Sequence, residues 1–289
     1  MNEGVLMQNI QVKDIRIGEG NPLVLIAGPC VIETEDVVLR TAEKIKSITE
    51  KLAIPFIFKS SYLKDNRSSA SSYQGPGLQE GLKVLQKVKE QLDLPVLSDI
   101  HSAHDASACA GVLDVMQIPA FLSMQTSLLQ AVAATGKVVN IKKGQFLAGN
   151  DLTASINKVK DAGNSNIILT ERGSMFGYGN LVVDMRSLKI MRDLGYPVIM
   201  DSTHAIKKYG VRSRDKEGWQ KEFIFGLSRA AVAAGVDGFF IETHPNCDEA
   251  LCDADSMLPL DRLEDLLGQL KVIDEIVKPA LQADNEGLY

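Results

Sequence analysis

Residues Pro22–Cys30 read PLVLIAGPC. The stretch Pro22–Pro29 is the longest apolar run in the chain. It has the length of a strand, well short of the roughly 18–20 residues of a membrane span. Similar short, β-branched runs recur, and eight strands are expected: Leu23–Ala27, Pro55–Phe58, Pro95–Leu97, Val115–Ile118, Val138–Ile141, Ile167–Leu169, Val198–Met200 and Gly238–Ile241. Most are continuously apolar, as strands covered on both faces should be. Helical stretches alternate with them: Val37–Ile48, preceded by the acids Glu35 and Asp36 that suit a helix N-terminus, then Leu78–Leu92, Ser127–Ala134, Leu152–Lys160, Met185–Leu194, Glu222–Ala234 and the closing Leu260–Val277. Ala103–Ala110 is short and weak. Such alternation is the pattern of a parallel sheet with crossover helices. Eight βα units in about 250 residues have the size of a TIM barrel. The alternative, an open doubly wound sheet, lacks its glycine-rich GxGxxG. The expected fold is therefore α/β, a TIM (β/α)8 barrel in one domain over 1–289, with 1–22 an N-terminal extension and 23–289 the barrel. Ile10–Ile17 (IQVKDIRI) is expected to form a small β-hairpin that plugs the N-terminal end of the barrel.

The chain of 289 residues carries 31 Lys+Arg against 37 Asp+Glu, a net charge of −6. An acidic chain is not built for non-specific nucleic-acid binding, which needs a basic surface. The start, MNEGVLMQNIQVKD, has neither a basic region nor a long apolar one, so no signal peptide and a cytoplasmic location are expected. Four cysteines, Cys30, Cys109, Cys247 and Cys252, are too few for a disulfide scaffold and read as reduced thiols.

The residues that follow the strands carry the chemistry: Gly28-Pro29-Cys30, Lys59-Ser60-Ser61, Ser98-Asp99-Ile100-His101, Pro119, Lys142-Lys143, Thr170-Glu171-Arg172, Asp201-Ser202-Thr203-His204 and Glu242-Thr243-His244. In a barrel these ends converge on one site, so the pattern points to an enzyme. Lys59, Lys64, Arg67, Lys142 and Arg172 lie at or just after strand ends, which implies an anionic substrate held by charge-assisted hydrogen bonds. Lys143 reads better as a solvated surface lysine. The loop Lys64–Gln74 (KDNRSSASSYQ), running into Gly75-Pro76-Gly77 and a helix, suits a phosphate cradle.

Cys30, His204, Glu242 and Asp253 are ligand types for a borderline divalent ion such as Zn²⁺ or Fe²⁺. Three of them close strands that are neighbours around a closed barrel. No CxxC or HxxxH spacing supports the set, and an isolated Cys30 would read as a small buried hydrophobe. His101 and His244 are further candidates, His244 as a partner behind the ligands. No GxSxG or HExxH nucleophile or zinc motif occurs. Met175, Phe176 and Tyr178 in GSMFGYGN read as loop packing, and Trp219 as a lid residue or a half-buried one.

The strings LIAGPC (25–30), FKSS (58–61), KDNRSS (64–69), GPGL (75–78), SDIH (98–101), MQIPAFL (116–122), VNIKKGQF (139–146), TERG (170–173), FGYGNLVVDMRS (176–187), DSTHA (201–205), IETHP (241–245) and LPL (258–260) follow in order. Together they resemble the 3-deoxy-D-manno-octulosonate 8-phosphate (Kdo8P) synthase family, TIM-barrel relatives of one class of 3-deoxy-D-arabino-heptulosonate 7-phosphate (DAHP) synthase. The resemblance covers about residues 20–280. It implies condensation of phosphoenolpyruvate (PEP) with arabinose 5-phosphate and water, giving Kdo8P, a lipopolysaccharide precursor, and phosphate. By matched position, Lys59, Lys64, Gln117, Lys142 and Arg172 would hold PEP. Asn66, Arg67 and Ser68 would hold the sugar phosphate and nearby hydroxyls. Asp99 and His101 would lie near the reacting centre. Cys30, His204, Glu242 and Asp253 match the ligands of the metal-dependent subclass, which uses Zn, Fe, Mn or a similar divalent ion; the metal-independent subclass has Asn at the Cys30 position. The family also implies a homotetramer, with no nucleic acid and no membrane among its partners.

The chain departs from the family pattern at the aldose side. Asp65 stands where the family has Ala, Met124 where it has an Arg that reaches a neighbouring subunit's sugar phosphate, and Ser127 where it has Asp. The Ser-Gly-Gly loop after the seventh strand is replaced by Lys207–Lys221 (KKYGVRSRDKEGWQK). Either the basic residues Lys207, Lys208, Arg212 and Arg214 of this lid supply the missing cation, or the acceptor is another aldose: erythrose 4-phosphate, as in DAHP synthase, or an unphosphorylated sugar. A non-catalytic barrel that binds a phosphorylated metabolite is the reading from a different class.

Overall fold

In the computed structural model, which describes residues 7–67, 69, 71–208 and 219–283, eight parallel strands close into a barrel. They are β3 (Val24–Gly28), β4 (Phe56–Lys59), β5 (Val96–Asp99), β6 (Val115–Ile118), β7 (Val138–Lys142), β8 (Ile167–Glu171), β11 (Val198–Asp201) and β12 (Gly238–His244). Each pairs with the next in sequence order, and β12 pairs with β3, so no edge is left. The helices that follow lie outside: α1 (Glu35–Leu52), α2 (Leu78–Leu92), α3 (Ala106–Ala110), α4 (Thr126–Ala133), α5 (Leu152–Asp161), α6 (Met185–Arg192), α7 (Phe223–Ala234) and α8 (Leu263–Ala283). The architecture is the expected TIM barrel.

Boundaries moved for physical reasons. Seven strands run beyond the expected apolar end, into Gly28, Lys59, Asp99, Lys142, Glu171, Asp201 and His244. The backbone ladder does not depend on side-chain polarity; only the inward end of each strand changes character. Helix α1 starts two residues before the expected Val37, because the Thr34 hydroxyl accepts from Val37 N at 3.2 Å and so caps the helix. The weak stretch 103–110 is a 3₁₀ turn (Ala103–Asp105) followed by the one-turn α3. Helix α8 begins at Leu263, after a 3₁₀ turn at Leu260–Arg262, and not at Leu260.

Side-chain alternation along each strand sorts residues into two cores. Outward-facing Leu25, Phe58, Val96, Met116, Ile141, Leu169, Met200 and Phe239 pack against the helices. Inward-facing Val24, Ile26, Ile57, Leu97, Val115, Val138, Ile168, Ile199 and Phe240 form the barrel interior. The hairpin β1 (Ile10–Val12) and β2 (Ile15–Ile17) pairs antiparallel and puts Ile10, Val12, Ile15 and Ile17 into that same interior cluster. It therefore caps the apolar, N-terminal end, as expected, and leaves the C-terminal end for polar groups.

Gly28 is required by a close approach. A Cβ there would stand 2.0 Å from the Lys59 carbonyl oxygen, so only glycine lets β3 and β4 meet at the mouth. A second hairpin, β9 (Ser174–Gly177) with β10 (Asn180–Val182), stands between β8 and α6. Phe176 and Tyr178 at its tip are 91% and 100% exposed, so they do not pack within the chain. This corrects the reading of these residues as loop packing; Phe176, Tyr178 and Gly179 all adopt left-handed backbone at this tight turn.

Because Ile17 is fully buried in the plug, Ile17→Ala is expected to lower stability by about 2–5 kcal/mol in urea unfolding. A loss under about 0.5 kcal/mol would mean that the hairpin does not close the barrel.

Candidate active site at the strand ends

The alternation that buries Val24 and Ile57 also fixes what points into the mouth. Two residues further along the strands come Lys59 (after Ile57), Asp99 (after Leu97), Gln117 (after Val115), Asn140 (after Val138) and then Lys142, Thr170 (after Ile168), Asp201 (after Ile199) and Glu242 (after Phe240). All are at most 5% exposed. Buried polar groups must be hydrogen-bonded or paired, and these are. Thr170 donates to Asn140 Oδ1 at 2.7 Å, Asn140 to Gln117 Oε1 at 2.9 Å, and the Gln117 amide to Asp99 Oδ1. Asp99 Oδ2 accepts from Ser61 at 2.8 Å and Lys64 at 3.0 Å. This chain fixes the amide of Gln117 and the carboxylate of Asp99 before any ligand arrives.

Lys59 Nζ donates to Glu242 Oε1 at 2.7 Å and to the Cys30 carbonyl at 3.0 Å. Lys142 Nζ lies 2.6 Å from Asp201 Oδ2 and 4.0 Å above the Phe240 ring. Arg172 is buried at the end of β8. Burial opposes charge at every one of these groups, yet the paired charges decide most outcomes. Glu242 is brought down to about 2 against its burial by Lys59, His204 and Lys64. Asp99 is held well below the carboxylate range against its burial by Lys64 and Lys59. Lys59 and Lys64 are raised despite burial, chiefly by Glu242 and Asp99 respectively. Lys142 is the exception: burial outweighs Asp201 and lowers it.

The candidate metal ligands meet at the seam between β3, β11 and β12. Asp201 Oδ1 accepts from Thr203 N, Thr203 Oγ1 and His204 N at 2.8–3.2 Å, a local turn that sets the His204 ring. Asp201 Oδ2 lies 2.8 Å from His204 Nδ1, which leaves Nε2 facing Glu242 Oε2 at 3.5 Å and Asp253 Oδ2 at 3.4 Å. Cys30 Sγ lies 3.5 Å from Asp253 Oδ2. Asp253 adopts φ +49°, a left-handed turn residue in the loop after β12. The donor atoms of His204, Glu242 and Asp253 fall within 4.8 Å of one another, as do those of Cys30, Cys252 and Asp253. Glu242 Oε2 is buried without a hydrogen bond. A thiol, an imidazole and two carboxylates around an unsatisfied acceptor fit a divalent ion.

The residues expected on the aldose side behave differently. Asn66 is exposed, and Ser68 lies outside the described residues. Arg67 turns inward, 2.7 Å from Cys252 Sγ and 3.5 Å from Asp253 Oδ1. His101 Nε2 contacts the Leu63 carbonyl at 2.9 Å, and burial lowers its pKa. Met124 sits against Ser155 of α5 at 3.4 Å. Of the lid, Lys207 pairs with Asp253, Lys208 is exposed, and Arg212 and Arg214 lie outside the described residues.

Lys143 is not a solvated surface lysine. It is fully buried, donates to the Leu147 carbonyl at 2.9 Å and Ser174 Oγ at 3.0 Å, and lies 3.4 Å from Glu171. Glu171 in turn accepts from Arg172 N and Gly173 N at 2.8 and 2.6 Å, so the pair braces the turn that carries Arg172. His244 faces Glu33 at 3.6 Å and accepts from Asn246 N, so it shapes its own loop. Trp219 is half-buried against the cluster of Cys30, Cys252 and Met257. The sequence places Thr170 and Asp201 at strand ends without giving them a role, and it does not single out Asn140 or Cys252 for the site. Strand alternation counted from the apolar residues points to Asn140, Thr170 and Asp201; Cys252 leaves no such signal.

The chain matches the model of the DAHP synthetase I family over residues 6–279. Curated proteins named 2-dehydro-3-deoxyphosphooctonate aldolase from Geobacter metallireducens and Citrifermentans bemidjiense are each 54% identical to it, over 94% of this chain and 100% and 99% of theirs. The protein of that name from Desulfosudis oleivorans is 54% identical over 93% of this chain and 96% of its own. No helix among the described residues is long and apolar enough to cross a membrane.

The lowered Asp99 stabilises the fold fully above its unfolded value of about 3.9, and that contribution is lost as pH falls through its folded value. The urea midpoint is expected to hold from pH 7 to 5, to fall below about pH 4, and to fall less steeply in Asp99→Asn. Equal slopes in the two proteins would contradict this assignment.

Proposed function

The chain belongs to the DAHP synthetase I family, and we propose that it is the transferase that joins PEP to arabinose 5-phosphate, yielding Kdo8P and phosphate. The observation that carries this reading is the division of the mouth into two halves. One half is a cationic and amide surface, Lys59, Lys64, Gln117, Lys142 and Arg172. The other is the cluster Cys30, His204, Glu242 and Asp253. PEP brings up to three negative charges, and the first half offers four buried cations and a fixed amide, where charge-assisted hydrogen bonds are strongest.

In this reading Lys142 and Arg172 take the carboxylate and phosphate of PEP, with Lys59 and Lys64 completing the shell. The network Thr170–Asn140–Gln117–Asp99 keeps Gln117 oriented and holds Lys64 in place. The C–C bond forms between C3 of PEP and the aldehyde, water adds at C2, and phosphate leaves by C–O cleavage. Asp99 and His101 would lie near the reacting centre. The site is of the metal-dependent subclass: Cys30, His204, Glu242 and Asp253 would hold a divalent ion such as Zn, Fe or Mn. Such an ion supplies a Lewis acid that orients the aldehyde or activates water. Asp201 positions His204, and the donors aimed at the reacting carbons supply the electrostatic preorganisation.

The aldose end is where a second reading has support. Asp65 is exposed at the entrance and Met124 is packed against α5, so neither offers a cation to a sugar phosphate. Asn66, Arg67 and Ser68, with Lys208 of the lid, would have to supply the phosphate contacts for arabinose 5-phosphate. The same chemistry on erythrose 4-phosphate or on an unphosphorylated sugar is the alternative. We also propose a cytoplasmic homotetramer: four free thiols suit a reducing compartment, and exposed Phe176 and Tyr178 suit contact with a second copy.

Phosphate release from PEP is expected with arabinose 5-phosphate and not with arabinose or erythrose 4-phosphate; turnover of arabinose alone would overturn the lid assignment. Chelation is expected to abolish turnover and re-added divalent ion to restore it, and Lys142→Ala should cost about 100-fold or more in kcat/KM. Intact activity after chelation, together with no effect of Cys30→Asn, would refute the metal assignment. Sedimentation is expected to give four copies; a monomer at micromolar concentration would count against the tetramer.

A further inference from the structure

Beside the four ligand residues the mouth holds a second sulfur. Cys252 directly precedes Asp253, and the left-handed turn at Asp253 lets both buried side chains face the same space. Cys252 Sγ lies 2.7 Å from Cys30 Sγ and accepts from Arg67 Nη1 at 2.7 Å. A sulfur that accepts from a guanidinium is placed as an electron-pair donor, not as apolar filler. Cys247, in the same cluster, is oriented the other way: its thiol donates to the carbonyls of His244 at 3.8 Å and Met257 at 3.6 Å.

Two overlapping triads surround Asp253. One is Cys30, Cys252 and Asp253, the other His204, Glu242 and Asp253, each with donor atoms within 4.8 Å. We propose that Cys252 is a further ligand of the divalent ion, giving it two sulfur donors and a bias toward thiophilic ions. This rests on the reading of Cys30, His204, Glu242 and Asp253 as the metal ligands. Two thiolates bound at about 2.3 Å to one ion stand roughly 3.5–4 Å apart, so the sulfurs need to part by only about 1 Å. Catalytic zinc sites sometimes expand from four to five ligands. The extra negative charge has compensation in place: Arg67 lies on Cys252 and Asp253, Lys207 pairs with Asp253, and Lys59 pairs with Glu242. Softer thiolate ligands favour Zn²⁺ and Cd²⁺ over Mn²⁺, which oxygen ligands suit.

The test loads the full-length protein with Co²⁺ and reads the sulfur-to-cobalt charge-transfer absorption per bound ion in the wild type, Cys252→Ser and Cys30→Ser. Each variant is expected to show about half of the wild-type intensity. Competition should show Cd²⁺ affinity falling about tenfold or more in Cys252→Ser, with Mn²⁺ affinity within about threefold. X-ray absorption of the zinc-loaded wild type should count two sulfur neighbours, which keeps the test decisive if a variant does not fold. One sulfur neighbour, or an undiminished band in Cys252→Ser, overturns the proposal while leaving the metal reading intact. A wild type that takes up no ion overturns both.

Discussion

The mouth of the barrel is organised around one buried ion pair, Lys59 with Glu242. Their side chains are 1% and 0% exposed and 2.7 Å apart. Removing two charges from water is expensive, and such a pair contributes little net stability compared with an apolar pair of the same shape. Its presence is better explained by what each partner faces. Lys59 looks toward the cationic half with Lys64 and Lys142. Glu242 turns one oxygen to Lys59 and leaves the other, without a hydrogen bond, beside His204. Each half of the site balances the charge of the other.

The fold delivers this arrangement through a single periodicity. Alternating side chains make the lower layers of the barrel apolar, where the Ile10–Ile17 hairpin closes them, and the top layer polar. The same β4 that buries Ile57 in the interior core presents Lys59 two residues later, and β12 does so with Phe240 and Glu242. Phe240 links both layers, its ring under Lys142 at 4.0 Å and near Lys59 at 5.4 Å.

Much of this was legible in the sequence because it depends on local pattern. The apolar runs gave eight strands, and the residues after them gave Lys59, Lys142, His204 and Glu242 as site candidates. What stayed hidden depends on contacts between distant segments. Lys143 looked solvated because its partners Glu171 and Ser174 belong to another βα unit. Cys252 looked like any cysteine because its neighbour Cys30 is 222 positions away. Phe176 and Tyr178 looked like packing residues because nothing local says that the β9–β10 hairpin stands out from the body.

Two adjacent half-sites meet at Lys59 and Glu242. Diffraction from crystals soaked with PEP and Mn²⁺, with data collected at the manganese edge, addresses this most directly. The anomalous peak should fall among Cys30, His204, Glu242 and Asp253, with PEP held by Lys59, Lys64, Gln117, Lys142 and Arg172. An ion at any other cluster, or PEP bound away from the strand ends, would show that the division of the mouth has been misread.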